Sequence, residues 1–233
     1  MFVFYSPDIT RDIYSLNEQE TKHCLKVLRL SKDDIIYLVD GKGGFYKAKI
    51  IDISKTKCSV KVINIIKEYC RSNYYLHIAI APTKNIDRLE WFIEKSTEIG
   101  INEITPIICK RSERKKINIE RLGKIMVSAI KQSGKAYLPV INPIIEFEQI
   151  LTNNSFYKFI ASCKADKLKN LKSLYTKGKN PLVLIGPEGD FTSEEIEIAK
   201  QNKFKEVSLG PGILRTETAG IAACQIISFI NFS

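Results

Sequence analysis

The chain has 233 residues, room for one large domain or two of ordinary size, and its 44% hydrophobic content is that of a folded globular protein rather than a disordered one. No apolar run reaches the roughly 18 residues of a membrane helix, and the stretch from Met1 to Asp8 lacks the charged start and long apolar segment of a signal peptide. The net charge of +10, from 36 Lys and Arg against 26 Asp and Glu, favours a polyanionic partner, nucleic acid first, although such an excess also serves solubility.

Residues 1 to about 70 read as a small β-rich unit. One helix is expected near Asn17 to Leu28, with Ser15 and Glu18 spaced as a capping box and Leu25 and Leu28 on one face. Strands follow at Ile35–Asp40, Phe45–Ile53 and Cys58–Ile66, the first two joined by the turn Gly41-Lys42-Gly43-Gly44, at the spacing of a compact barrel. The polar stretch Lys67–Asn73 marks a domain boundary, giving domains 1–72 and 73–233.

From Tyr74 onward strand and helix alternate, the signature of a mainly parallel sheet covered by helices. Strands are expected at Tyr75–Ala81, Glu103–Cys109, Phe156–Ser162, Pro181–Ile185 and Glu206–Leu209. Helices are expected at Ile86–Ile99, Ile119–Gly134, Ala165–Tyr175, Ser193–Gln201 and Thr216–Phe229, the last apolar enough in its second half to be buried in the core or against a second subunit. Charge is unevenly spread. Lys110 to Lys135 holds nine basic and two acidic residues, whereas Glu188 to Glu197 holds five acids and no base, which reads either as a face that meets phosphates or as a solvated helix surface.

The six cysteines (24, 58, 70, 109, 163, 224) are scattered without any CxxC and sit mostly in apolar segments, which reads as buried free thiols in a cytoplasmic protein. With only His23 and His77 beside them, neither a zinc site nor a metal-centred mechanism is expected.

Two glycine-bearing loops carry the chemistry. Gly186-Pro187-Glu188-Gly189-Asp190 leaves an apolar strand, and Ser208-Leu209-Gly210-Pro211-Gly212 leaves a short one; each runs into a helix, where open α/β sheets place their ligands. Two such loops can wall one pocket. Thr192 and Glu195 form a Thr-x-x-Glu box, so a well-capped strand–helix turn accounts for part of the first loop without any ligand. Glu188 and Asp190 would repel a phosphate and tolerate a cationic or zwitterionic ligand, and the pattern is neither GxGxxG nor a Walker loop. In the second loop Ile213 and Leu214 offer an apolar wall for an adenine ring. Arg215 either reaches into the pocket or pairs with Glu217 or Glu188.

The stretches His23–Arg29, Arg88–Gly100, Arg111–Arg114, Gln132–Lys135 with Pro139, Gly186–Gly189 and Ile213–Ala219 run along most of the chain. The two loops resemble those of the SPOUT methyltransferases, and the whole chain resembles the RsmE family, the 16S rRNA uracil-N3 methyltransferases. Two departures from the family pattern stand out: Asp190 occupies the place of a third glycine, and Gly212 that of an arginine.

The resemblance implies a SPOUT-type α/β fold with a trefoil-knotted, mainly parallel sheet and helices on both faces, preceded by a PUA-like β-barrel. It also implies a homodimer with active sites at the subunit interface. The cofactor it implies is S-adenosylmethionine, held by Gly186, Pro187, Glu188, Gly189, Leu209, Gly210, Ile213 and Leu214, and the partner it implies is 16S rRNA of the small ribosomal subunit. Uracil N3 must lose a proton, so the catalytic candidates are Arg215, as a fixed cation, and Glu217, as a base only if desolvation raises its pKa. Lys26, Arg29, Lys84, Arg88, Arg111, Arg114 and Lys115 are the candidate RNA contacts, with a helix-surface ion pair, to Glu90 or a neighbouring segment, the alternative for Arg88. Competing readings are a methyltransferase acting on tRNA ribose, a non-catalytic RNA-binding assembly factor and a nucleotide-phosphate enzyme, the last disfavoured by the acidic loop residues.

Overall fold

The computed structural model describes residues 1–54, 56–152, 157–165 and 169–232. They form two compact units, Met1–Arg71 with Val127–Leu138, and Ser72–Met126 with Pro139–Ser233. The stretch 127–138, expected in the second domain, therefore packs with the first unit.

In the first unit, strands β1 (Val3–Tyr5), β2 (Ile13–Ser15), β3 (Ile35–Val39), β4 (Phe45–Ile53) and β5 (Cys58–Ile66) build one sheet in the order β1-β3-β4-β5-β2. All pairings are antiparallel except β1 with β3, and irregularities at Lys47/Ala48 and Ile50/Asp52 curl the sheet. Its concave side closes over Phe4, Leu16, Cys24, Ile36, Leu38, Ile50, Cys58 and Val60. A second cluster joins Val3, Val39 and Phe45 to Ile130 and Ala136, and beside it Lys131 Nζ bonds both oxygens of the buried Glu20 at 2.7 Å.

Helix α1 (Glu18–Lys22) is shorter than expected and widens into a π-helical turn at His23–Val27. The expected Ser15–Glu18 capping box does not form, because Ser15 is the last residue of β2 and pairs with Ser59. Asn17 caps the helix instead, accepting the Glu20 N–H at 2.9 Å.

The second unit is a parallel sheet: β6 (His77–Ile80), β7 (Glu103–Ile108), β8 (Val140–Ile141), β9 (Ile145–Glu146), β10 (Tyr157–Ala161), β11 (Pro181–Ile185) and β12 (Lys205–Val207). The order is β12-β10-β11-β6-β7-β8, with β9 beside β7. Its helices are α2 (Ile86–Ile99), α3 (Ile119–Ser133, the end of which belongs to the first unit), α4 (Phe147–Leu151), α5 (Leu171–Leu174), α6 (Ser193–Gln201) and α7 (Thr216–Phe232).

Side chains alternate across each strand, so both faces need cover. Ala79, Leu182 and Leu184 face α4 and α6 through Phe147, Ile150, Ile196 and Ala199. On the other face Ile80 meets α7, which packs on α2 so closely that a Cβ at Gly220 would lie 2.5 Å from the Phe92 ring.

The strands expected at Tyr75–Ala81 and Glu206–Leu209 run over His77–Ile80 and Lys205–Val207, and other elements differ as well. Of the strand placed at Phe156–Ser162, Phe156 lies outside the described residues. Of the helix placed at Ala165–Tyr175, residues 166–168 lie outside them, and the described part is helical only from Leu171, where the Asn170 side chain accepts the Ser173 N–H. The last helix extends to Phe232; Ala223, Cys224 and Ile227 are buried, while Phe229 is 64% exposed. Cys24, Cys58, Cys109 and Cys224 are buried and Cys70 and Cys163 are exposed.

Candidate functional site

The first loop begins where β11 ends. Gly186 is buried and a Cβ there would sit 3.1 Å from the Phe191 ring, so any larger residue would press on that ring where the chain turns above it. Pro187 O accepts the Asp190 N–H at 2.9 Å, closing a turn. Asp190 has φ of 59°, the left-handed conformation that favours glycine but that a short carboxylate side chain tolerates. Its Oδ1 accepts the N–H of Phe191 at 2.8 Å and its Oδ2 that of Cys163 at 3.1 Å. The departure at this position thus keeps the turn and adds a tie to the segment after β10. Partial desolvation of the Cys163 sulfur and the negative charge of Asp190 beside it raise the thiol pKa.

Helix α6 starts with the expected box. Thr192 Oγ1 accepts the Glu195 N–H at 3.2 Å, and Glu195 Oε2 accepts the Thr192 N–H at 2.7 Å. The other oxygen of Glu195 accepts the N–H of Lys110, beyond β7, at 2.8 Å.

In the second loop Ser208 Oγ donates to Gly210 O at 2.8 Å, folding the turn on itself. The two loops are joined directly: the buried Thr216, at the start of α7, donates from Oγ1 to Gly186 O at 3.0 Å.

Two adjoining cavities open between these loops. One, about 270 Å³, lies between Ser162, Cys163 and Ala165 on one side and Leu209, Gly210 and Gly212 on the other. The second, about 210 Å³, lies between Gly186, Pro187, Glu188 and Asp190 and the stretch Arg215–Thr216. Ala161, Cys163, Ile213, Leu214 and Ala219 border both. Together they approach the size of a small-molecule site. The walls are mostly apolar side chains and backbone groups, Glu188 and Asp190 are the acids, and Arg215 is the one cation among the lining residues. Such a wall suits a flat apolar ring with a cationic centre and is poorly matched to a polyphosphate.

Seven of the eight candidate cofactor residues line this space; Gly189 lies just outside it, against the Arg111 side chain. Arg215 is exposed on the rim, and among the described residues its side chain has no hydrogen-bond or ion-pair partner, so the alternative pairing with Glu217 or Glu188 is not formed. Glu217 does not line the cavity. It is 7% exposed and faces α2, with Oε1 3.8 Å from Arg88 Nε and a buried Oε2 that has no hydrogen-bond partner among the described residues. Arg88 accordingly pairs with Glu217, while Glu90 pairs with Arg121.

Of the basic candidates, Lys84, Arg114 and Lys115 border a shallow depression of about 490 Å³ with Glu113 and Lys116. The Lys84 ammonium bonds Glu113 at 2.9 Å, which raises its pKa. Arg111 is occupied by the carbonyl of Gly189, and Arg114 by those of Thr83 and Lys84. Lys26 and Arg29 lie in the first unit, both exposed, Lys26 in the π-helical turn and Arg29 just beyond it with φ of 53°. Sequence reasoning missed the third wall, Ala161 to Ala165. That segment has neither glycine nor motif, and only its place after β10, next to β11 in the sheet, marks it.

The RNA methyltransferase domain family matches residues 70–228, and the RNA methyltransferase PUA domain family matches residues 16–63. Ribosomal RNA small subunit methyltransferase E of Rickettsia conorii is 33% identical, over 88% of this chain and 84% of that protein. The Bacillus subtilis protein of the same name is 30% identical, over 93% and 90%. Among solved structures, a probable rRNA-methyltransferase of Porphyromonas gingivalis is 39% identical with a TM-score of 0.90, covering 100% of this chain and 99% of that one. Ribosomal RNA small subunit methyltransferase E of Neisseria gonorrhoeae, bound to S-adenosyl methionine, is 29% identical with a TM-score of 0.84, covering 99% and 98%.

Proposed function

The chain belongs to the RNA methyltransferase family that includes ribosomal RNA small subunit methyltransferase E, and from that premise we propose that it transfers a methyl group from S-adenosylmethionine to N3 of one uridine in 16S rRNA. The observation that carries this reading is the pair of glycine loops, tied by Thr216 to Gly186, around a cavity with an apolar wall and an acidic rim.

The residues present fit the cofactor. Leu209, Ile213 and Leu214 offer flat apolar surface to the adenine, backbone groups of the loops meet its edge, and Glu188 and Asp190 favour the positive end. When bound, S-adenosylmethionine supplies a methyl group already activated on a sulfonium. The chain's task is to bring the uracil in line and to lower the cost of removing the N3 proton.

Arg215, on the rim and unpaired, stabilises the negative charge that develops on the ring as that proton leaves. Glu217 acts at one remove: its carboxylate holds Arg88, whose guanidinium meets the RNA. Lys84, Lys115, Lys26 and Arg29 give phosphate affinity, with specificity left to RNA shape and an extruded base.

Neither departure from the family pattern dismantles the cavity. Asp190 takes the glycine conformation, and a Cβ at Gly212 would meet nothing within 4 Å. The trefoil knot, the homodimer and a cytoplasmic location belong to the same proposal. The exposed Trp91 on α2 and Phe229 on α7 supply apolar surface for a second copy. Among the described residues no helix is long and apolar enough to cross a membrane.

Calorimetric titration tests the site. S-adenosylmethionine is expected to bind and ATP not to; tight ATP binding with no S-adenosylmethionine binding overturns the reading.

A further inference from the structure

Arg111-Ser112-Glu113-Arg114 follows β7 in a tight turn, with Ser112 N–H donating to Cys109 O at 3.0 Å and Ser112 Oγ accepting the Cys109 N–H at 2.9 Å. The turn sends two guanidinium groups to two different loops. Arg114 donates from Nε to Thr83 O at 3.0 Å and from Nη2 to Lys84 O at 2.7 Å. Successive carbonyls gripped by one planar fork fix the backbone of the loop between β6 and α2.

So fixed, that loop aims the Lys84 N–H at Glu188 Oε1, 2.9 Å away. Glu188 belongs to the loop that walls the cavity, and the next carbonyl along, Gly189 O, accepts Arg111 Nη1 at 2.6 Å. The wall is therefore held from two sides by one turn of chain. Arg114 commits Nε and Nη2, and Arg111 commits Nη1, to backbone carbonyls rather than leaving them for phosphates.

We propose that Arg114 is a positioning residue for the cofactor loop, acting through the Lys84 N–H on Glu188, and that Arg111 holds the same loop at Gly189. The inference rests on the reading of the cavity as the S-adenosylmethionine site. It gives Arg111 and Arg114, basic residues within a cationic stretch, a task other than attracting RNA.

Substitution R114K tests it. Lysine keeps the charge, so long-range attraction for RNA and its salt dependence persist, but one ammonium does not span two carbonyls in the arginine geometry. KM for S-adenosylmethionine is expected to rise about tenfold, the equivalent of one charge-assisted hydrogen bond, while KM for the RNA holds and the loss does not appear in kcat.

Glu188 supplies the second arm. E188A is expected to raise KM at least as far as R114K does, since it loses both the charge and the acceptor, and E188Q to raise it less, because the glutamine carbonyl still accepts the Lys84 N–H and only the charge is lost. In the E188A background R114K should add nothing further. A rise in KM for RNA alone, or additive losses in the double variant, overturns the assignment. If R114K fails to fold, E188Q against E188A still decides: equal losses in the two refute the hydrogen-bond route. Wild-type protein that binds no S-adenosylmethionine overturns the functional reading itself, whereas wild-type binding with R114K unchanged overturns this inference alone.

Discussion

Substituting Glu195 by glutamine removes one charge and almost no volume, at a residue 1% exposed whose two oxygens each accept a backbone N–H, from Thr192 at 2.7 Å and Lys110 at 2.8 Å. A glutamine amide has one accepting end. Whichever way it turns, one of the two part-buried N–H groups then faces an NH2 group. The variant loses one charge-assisted hydrogen bond and leaves a donor unsatisfied; each effect is worth about 1.5–3 kcal/mol and they overlap, so a loss of about 2–4 kcal/mol is expected. Removal of a carboxylate from the first turn of α6 adds a few tenths of a kcal/mol, on the order of 0.3–1. By comparison T192A removes only the cap bond and should cost about 1 kcal/mol. Urea denaturation followed by the fluorescence of Trp91, the single tryptophan and a residue of the second unit, reads the effect as a lower midpoint at unchanged slope. An E195Q midpoint within error of wild type would refute the reasoning, since it would mean that the carboxylate does not join the two segments.

Three further outcomes follow from the same geometry. R215A should lower kcat at least about a hundredfold, as loss of a charge-stabilising donor does, with cofactor affinity little changed; equal loss of both in steady-state and binding assays would make Arg215 a loop-holding residue. G212R should fold normally, because a Cβ there meets no atom within 4 Å, and should bind RNA more tightly with a steeper salt dependence, by a slope of about one; unchanged salt dependence would place position 212 away from the RNA. Burial holds the His77 imidazole below its ordinary value of 6.5, so the folded chain binds fewer protons than the unfolded chain in that window. Its contribution is therefore intact above pH 6.5 and lost as pH falls through the folded value. Urea midpoints at pH 7.5 and 5.5, values about one unit either side of the ordinary imidazole pKa, should differ less in H77Q, which can still bond Thr105, than in wild type; an equal difference would contradict the assignment.

The parts of the fold that were legible in the sequence are those set by local periodicity. Ile86–Ile99 and Pro181–Ile185 form as expected, and the Thr192–Glu195 box closes as its spacing requires. Strands β8 and β9 were illegible because two residues carry no alternation, and β1 and β2 because three carry little. The helix expected from Asn17 to Leu28 broke into an α turn and a π turn, a distinction that apolar spacing does not encode.

In the site, the glycine loops were visible because glycine, proline and the capping residues act on their own neighbours. What Arg111, Arg114 and Glu188 do was not visible, since their partners are backbone groups remote in sequence, brought near only by the sheet order. Glu217 shows the same limit. The sequence offered it as a conditional base candidate alongside Arg215, yet helical geometry turns it toward Arg88 instead.

Where the methyl group goes decides the assigned activity most directly. Labelled S-adenosylmethionine, the protein and 30S subunits from cells that lack it would be incubated together, and the 16S rRNA digested to nucleosides and separated. Label is expected in 3-methyluridine. Label confined to ribose-methylated nucleosides, or cofactor binding with no label in rRNA, would contradict it.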